Sequence, residues 1–205
     1  MTIRDKNGAL GRLSSIQPLV IELGCGPRKR HAGSIGIDVI DSDAVDIVGD
    51  AIEVLRSFPD GVADLVTSSH FLEHVPDLQA VLHEIVRVTR TGGRVVAVVP
   101  HFAHPYFYSD PTHIHHFGLY TFSYFADDQR FRRRVPEYSR LHGLYLVDAD
   151  LVFKSSPPFY FRHGVKKAVG FLFNSCRYMQ ELWEENFCFL FPCFEVRFVL
   201  EKRER

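Results

Sequence analysis

The chain has 205 residues and ordinary apolar content, which predict one globular domain over residues 1–205 with a buried core. Its formal net charge of -1 excludes a general polyanion binder, because no basic field exists to collect phosphates, so we expect no nucleic-acid partner. The four cysteines form no CxxC pair, and neither a signal-peptide pattern nor a membrane-spanning apolar run is present, so we expect reduced thiols and a cytoplasmic location.

The first predicted element is a buried strand that ends in a glycine-rich turn. Leu19 to Leu23 form a short apolar run, and Gly24 and Gly26 follow it directly. Glycines let the backbone approach a ligand closely, because no side chain intervenes. A second strand ends at Asp38, where carboxylates bind ribose hydroxyls in nucleotide-binding folds. This arrangement predicts a pocket for an adenosine-containing cofactor.

Strands and crossovers then alternate through the first half of the chain. The second strand is predicted at 35–38, and further strands are predicted at 45–48, 64–69 and 95–99. Apolar residues between Leu78 and Val86 recur at helical spacing, and Gly92 and Gly93 are predicted to close that helix. The alternation predicts an α/β fold with a parallel, doubly wound sheet.

The second half of the chain has a different composition. After Pro100 comes a loop rich in histidine and aromatic residues. The elements predicted beyond it are a short helix at 119–125, a strand at 144–153, a helix at 165–183 and a strand at 194–200. Apolar and polar residues alternate in the last segment, which is typical of an antiparallel strand.

The glycine turn departs from a dinucleotide-binding fingerprint. Lys29 stands where that fingerprint requires a third glycine, and Pro27 directly follows the second. Both features disfavour a nicotinamide-dependent oxidoreductase.

Five segments keep a characteristic order and spacing. They are Val20-Ile21-Glu22-Leu23-Gly24-Cys25-Gly26, Gly36-Ile37-Asp38, Gly49-Asp50-Ala51, Asp64 to Val75 and Gly92-Gly93-Arg94-Val95. Together they resemble the class I S-adenosylmethionine-dependent methyltransferases of the small methyltransferase-domain type, over residues 19–100. The segment Ser109 to His116, with its Asp-Pro-Thr-His sequence, is similar to a subgroup of that family. The resemblance implies a Rossmann-like sheet, mostly parallel, with seven strands and the last antiparallel.

The resemblance also implies that S-adenosylmethionine is the cofactor. The implied cofactor-binding positions are Glu22, Gly24, Gly26, Arg28, Asp38, Asp50, Ala51, Ser69 and His70. Asp38 is expected to take the ribose hydroxyls, and Asp50 with Ala51 to meet the adenine edge. Asp38 and Asp50 also have a simpler interpretation as caps of a turn or helix.

The remaining implied positions concern the methionine end of the cofactor. Glu22 is expected to order the glycine turn there, and Ser69 and His70 to lie beside the sulfonium. Residues 28–34 are too few for a full crossover helix, so Arg28 is predicted to help hold the cofactor carboxylate. The neighbouring Glu73 and His74 are interpreted as ordering the turn after the fourth strand.

The loop after the fifth strand is expected to lie over the transferred methyl group, within an acceptor-side half at 101–205. Its five histidines are His101, His104, His113, His115 and His116. Histidine titrates near neutrality, so His101 and His113 are candidate general bases, with Asp110 as an orienting carboxylate. One alternative is a divalent metal held by histidine and carboxylate ligands, as some methyltransferases use to bind substrate oxygens. Another is a structural role, with these histidines bonded to loop backbone and stacked on aromatic rings.

Two further segments suggest binding partners. Arginines at 130–134 form a basic run, which is either a solvated loop or a handle for an anionic acceptor such as a phosphorylated or nucleotide-linked sugar. The aromatic-rich segment 159–191 could serve as a substrate lid, a homodimer face or a membrane-surface contact.

The predicted activity is transfer of a methyl group from S-adenosylmethionine to an oxygen or nitrogen of a small-molecule acceptor. The alternative from another class is a non-catalytic binding module that keeps the methyltransferase fold and its cofactor pocket.

Overall fold

The computed structural model describes residues 2–204, and every strand in that range belongs to one mixed sheet. The strands are β1 (Arg4–Asp5), β2 (Val20–Leu23), β3 (Ile35–Asp38), β4 (Ile47–Val48), β5 (Ala63–Ser69), β6 (Thr89–Pro100), β7 (Leu144–Val152) and β8 (Glu195–Lys202). The helices are α1 (Ala51–Arg56), α2 (Leu78–Val88), α3 (Pro105–Ser109), α4 (Tyr160–Phe173) and α5 (Arg177–Asn186), with short 3-10 helices at Leu10–Ser15 and Thr121–Tyr124. Across the sheet the strand order is β1-β4-β3-β2-β5-β6-β8-β7.

The centre of the sheet is parallel. Strands β4, β3, β2, β5 and β6 run in one direction, whereas β8 is antiparallel to both β6 and β7. This confirms the predicted Rossmann-like, mostly parallel sheet, and the seven predicted strands correspond to β2 through β8.

The additional strand is β1, in a segment for which the sequence predicts a loose lead-in. It pairs antiparallel with β4, and Arg4 and Lys6 form ion pairs with Asp41. Two residues are too few to show a strand period, so only the contact with β4 defines this element.

Helix α2 begins as predicted and ends earlier than predicted. The Asp77 carboxylate accepts a hydrogen bond from the N–H of Ala80 at 2.9 Å, which caps the first turn. The last turn ends at Val88, where the Thr89 hydroxyl donates to the carbonyl of Ile85 at 2.6 Å. The chain enters β6 at once, so the glycines expected to stop the helix lie inside that strand instead.

The long helix predicted at 165–183 is two helices, α4 and α5. Between them the Asn174 side chain accepts from the N–H of Leu151 at 2.9 Å and donates to the carbonyl of the same residue at 2.8 Å. These bonds to the edge strand β7 divert the chain, an effect that a local apolar pattern does not report. Among the described residues, no helix combines the length and apolar character needed to cross a bilayer.

The four cysteines differ in exposure, and this generates a first prediction. All are free thiols; Cys176 is exposed, whereas Cys25, Cys188 and Cys193 are buried. Burial and the nearby Asp38 carboxylate raise the pKa of Cys25 to about 11, and burial raises the pKa of Cys188.

Because thiolates are the reactive species, a disulfide reagent at mildly alkaline pH should modify one thiol rapidly in the folded protein and four after non-reducing unfolding. Cys176→Ser should abolish the rapid phase; a rapid phase that survives, or fewer than four thiols, contradicts the assignment.

Candidate functional site

A cavity of about 540 Å³ opens at the carboxyl ends of β2, β3 and β5. Ligands bind at this end of open α/β sheets, and the volume is within the usual range for small-molecule sites. Five predicted cofactor positions line it: Gly24, Asp38, Asp50, Ala51 and His70. The four that do not are Glu22, Gly26, Arg28 and Ser69.

The glycine turn forms one wall of this cavity. Gly24 has φ +62°, a conformation that side chains rarely adopt, and an added Cβ would lie 2.7 Å from the Cβ of Phe71. Gly26 also has a positive φ, and its N–H donates to the Asp38 carboxylate at 2.8 Å. The turn is therefore shaped by backbone freedom and by a carboxylate from the next strand.

Asp38 and Asp50 both cap local backbone and line the cavity, which are the two roles that the sequence leaves open for them. Asp38 accepts hydrogen bonds from the N–H of Gly26 and from that of Ile40, the latter at 2.9 Å. Asp50 caps α1 by accepting from the N–H groups of Ile52 and Glu53, at 3.0 and 3.2 Å. Both also line the cavity, and each carboxylate retains lone pairs for a ligand because it can accept about four hydrogen bonds.

Glu22 lies beneath the link 28–34. It is buried and accepts from the N–H groups of Arg30 and His31 and from the Ser34 hydroxyl, at 2.9 to 3.2 Å. Glu22 therefore orders the segment that follows the glycine turn without reaching the cavity. Arg28 is exposed.

Ser69 faces away from the predicted cofactor cavity. It lines a different cavity of about 590 Å³, together with Leu65 and Thr67 of the same strand. Alternate residues of a strand point to the same face of a sheet, so these three share one side. His70 follows the end of the strand and lines the 540 Å³ cavity instead.

His70 is held between two carboxylates in an uncommon backbone conformation. Its φ is 54°, the only positive value for a non-glycine among the described residues. Its Nε2 lies 3.0 Å from Glu195 and its Nδ1 lies 3.3 Å from Glu73. Hydrogen bonding to Glu195, followed by the interaction with the nearby Glu73 carboxylate, raises the pKa of His70 to about 9. The ring is therefore a cation at neutral pH and is unsuited to act as a base.

The proposed base His101 lies outside the cavity. Its side chain is fully buried, its Nε2 donates to the Glu184 carboxylate at 2.8 Å, and its Nδ1 accepts from the N–H of Ala103. Two other histidines of the loop also have structural contacts. Burial lowers the pKa of His104 to about 4, and the Nε2 of His115 donates to the carbonyl of Val75.

Asp110 and His113 stand closer to the cavity, although neither lines it. The Asp110 carboxylate accepts from the N–H and hydroxyl of Thr112, and it lies 3.6 Å from the Nε2 of His113. Thr112 does line the cavity, as does His74, whose Nδ1 lies 2.9 Å from the Thr112 hydroxyl. The structure thus connects two candidates to the cavity through a threonine.

Phe71, His74 and Thr112 are among the cavity-lining residues that have no cofactor or acceptor role in the sequence analysis. His74 follows Glu73 in the turn after β5, and Thr112 stands between Asp110 and His113. The sequence signal that could have identified His74 and Thr112 is therefore their position next to residues already chosen as candidates. Their convergence depends on the fold of the loop after β6.

The charge of His70 generates a second prediction. The folded-state pKa of about 9 lies above the value of about 6.5 expected in the unfolded chain, so protonated His70 stabilises the fold. That contribution is complete below about pH 6.5 and is lost as the pH rises through about 9. His70→Asn should therefore reduce the free energy of unfolding most at or below pH 6.5, since asparagine tolerates the positive φ. Denaturant titrations across this pH range measure the effect, with the exposed α2 residue His83→Asn as control; a pH-independent deficit contradicts it.

Comparison with known proteins places this cavity in context. Residues 22–97 match the sequence model of a family described as a methyltransferase domain. The chain is 41% identical over 49 residues to an ajmaline N-methyltransferase from Rauvolfia serpentina, covering 24% of this chain and 16% of that protein. It is 50% identical over 50 residues to a demethylmenaquinone methyltransferase from Mycolicibacterium gilvum, covering 24% of this chain and 21% of that protein. The aligned part of this chain therefore spans only a minor share of each curated relative's length.

The fold extends the similarity beyond that stretch. A solved S-adenosylmethionine-dependent methyltransferase from Archaeoglobus fulgidus superposes with a TM-score of 0.57 at 19% identity. The superposition covers 96% of this chain and 94% of that one. At this identity the likeness shows the fold, and the family model supplies the independent sequence match. Residues 22–97 are therefore similar in sequence to a methyltransferase domain, and the chain has the fold of the solved methyltransferase.

Proposed function

We propose that this protein transfers a methyl group from S-adenosylmethionine to an oxygen or nitrogen of a small-molecule acceptor. The observation that carries the proposal is the cavity at the carboxyl ends of β2, β3 and β5, where Gly24, Asp38 and Asp50 meet. The curated relatives are named as methyltransferases of small molecules, and one of them as an N-methyltransferase.

The cofactor's position in the cavity follows from the chemistry of its walls. Asp38 can accept hydrogen bonds from both ribose hydroxyls, and Asp50 with Ala51 lies on the next turn to meet an adenine edge. The open backbone at Gly24 leaves room for the methionine end. Arg28 is exposed on the adjoining link, so its predicted contact with the cofactor carboxylate requires the side chain to reach inward.

The acceptor is proposed to enter from the side of the loop after β6. Methyl transfer is an in-line displacement at a carbon already activated by a sulfonium, so the protein has mainly to align the nucleophile and remove a proton. Thr112 and His74 line that part of the cavity, and Asp110 and His113 stand behind Thr112. This arrangement favours Asp110 and His113 over the buried His101 as acceptor-side groups.

The basic run offers less support for an anionic acceptor. Arg130 bonds to the carbonyl of Val147 and, at 2.9 Å, to Asp148, while Arg132 and Arg133 stack on tyrosine rings. The run lines a cavity of about 640 Å³ that shares no lining residue with the proposed cofactor cavity. An anionic acceptor such as a phosphorylated or nucleotide-linked sugar therefore stays a prediction, as does a homodimer through the aromatic-rich segment 159–191.

The cofactor assignment is tested by calorimetric titration. S-adenosylmethionine and S-adenosylhomocysteine should bind in the micromolar range, and NAD far more weakly. Asp38→Ala should weaken binding by roughly 10- to 150-fold, because a hydrogen bond to a charged group contributes about 1.5–3 kcal/mol. Asp43→Ala, which removes an exposed carboxylate outside the cavity, should leave the affinity unchanged. Tighter binding of NAD than of either sulfur compound would refute the assignment.

Catalysis is tested by incubating the protein with methyl-labelled S-adenosylmethionine and a fractionated metabolite extract. His113→Ala and Asp110→Ala should retain affinity for S-adenosylhomocysteine and lose turnover by about 10²–10⁴-fold, the usual contribution of general acid–base groups. His116→Ala is the matched control, because this exposed loop histidine is outside the cavity lining. Cofactor binding with no labelled product from any fraction would favour the non-catalytic module.

A further inference from the structure

Glu73, His74 and His113 bring three metal-binding groups together beside the proposed cofactor cavity. One ligand atom from each residue lies within 4.8 Å of the other two. We propose that these residues bind a divalent transition-metal ion of the zinc class. Two imidazoles and one carboxylate form a ligand set suited to such ions, and catalytic zinc sites commonly use three protein ligands and leave a position open.

The carboxylate of Glu73 is the first observation. Its side chain is fully buried, and neither oxygen has an aligned hydrogen-bond donor. Burying a carboxylate without donors is costly, so such groups are generally paired or coordinate metals. The Nδ1 of His70 lies 3.3 Å from Oε1, but the other nitrogen of the same ring contacts Glu195. Glu73 therefore retains the capacity to bind a ligand.

The orientation of the two imidazoles is the second observation. The Nδ1 of His113 donates to the carbonyl of Phe107 at 2.9 Å. The Nδ1 of His74 donates to the Thr112 hydroxyl at 2.9 Å, since that hydroxyl gives its own proton to Asp110. Metal-binding histidines usually donate their second ring N–H to such an oxygen, which fixes the tautomer. In both residues the nitrogen left with a lone pair is Nε2.

The electrostatics of the cluster follow from this tautomer. The Nε2 of His74 lies 3.9 Å from Glu73 Oε1, and with Nδ1 as the donor this nitrogen presents a lone pair. The His74 and His113 rings are tilted, with centroids 4.9 Å apart. The Glu73 carboxylate and the two Nε2 lone pairs are all acceptors, so a proton or a cation is needed between them. A proton on either histidine is the rival occupant, with Asp110 at 3.6 Å as a partner for His113.

The size of the cluster is compatible with closure around an ion. A tetrahedral ion with bonds of about 2.1 Å keeps its ligands roughly 3.4 Å apart, so binding requires the three groups to move inward from their present separations. The two histidines can make this adjustment, because both are half-buried and lie outside any helix or strand. His74 also lines the proposed cofactor cavity, so an open coordination position could face an oxygen of a bound molecule there.

Metal titration tests the site without cofactor or acceptor, so its result does not depend on the proposed methyl transfer. Chelator-treated protein is titrated with Co²⁺ and followed by visible absorption, and Zn²⁺ affinity is measured by competition with a chromogenic chelator. One equivalent per chain should bind, with the ligand-field bands of a low-coordinate cobalt ion. His74→Ala and His113→Ala should each weaken Zn²⁺ binding by about 100-fold or more, since even loss of an outer contact costs 10–100-fold.

Two controls keep the result interpretable. His116→Ala removes an exposed histidine of the same loop from outside the cluster and should bind metal as wild type does. A cooperative denaturant-unfolding transition like that of the wild type would show that each variant is folded. Absence of stoichiometric binding, or equal affinity in wild type, His74→Ala and His113→Ala, overturns the proposal. An equal loss in His116→Ala would do the same, since it would point to a diffuse histidine cluster.

Discussion

Two carboxylates hold the glycine turn after β2, and the shape of the proposed cofactor cavity depends on them. Asp38 accepts the N–H of Gly26, and Glu22 accepts the N–H groups of Arg30 and His31 in the link that follows. This link has no helix, so its backbone donors have no helical partners. Buried carboxylate oxygens replace those partners, and the Gly24 backbone is kept in the position that forms the cavity wall.

A second group of charged side chains joins the cavity wall at the end of β5 to the start of β8. His70 stands between Glu73 and Glu195, and Lys154 lies 2.7 Å from Glu195. Burial acts to raise the pKa of Glu195, but hydrogen bonds from His70 and Lys154 outweigh it and lower that pKa. Alternating charges thus connect the end of β5 to the start of β8. They also hold His70 in its positive-φ conformation, which is uncommon for a residue with a side chain.

Sequence predictions agreed with the structure where an element depends on residues close together in the chain. They differed where contacts between distant residues decide the outcome. The buried face of α2 depends on local spacing, and the predicted helix is present. The helix expected at 165–183 is interrupted because Asn174 bonds to Leu151 on an edge strand. His101 resembles a base by its position after a strand, but the tertiary fold buries it against Glu184, a residue distant in the chain.

The sequence by itself determined the parallel sheet, the glycine turn and the placement of Asp38 and Asp50 at strand ends, because these depend on periodicity and on a few special residues close together in the chain. Only the tertiary structure decided which side of the sheet Ser69 faces and which histidines approach the cavity. It also decided the convergence of Glu73, His74 and His113. The physical reason is that a histidine's role is set by the hydrogen bonds its two nitrogens make, and the partners here are carbonyls and carboxylates from distant parts of the chain.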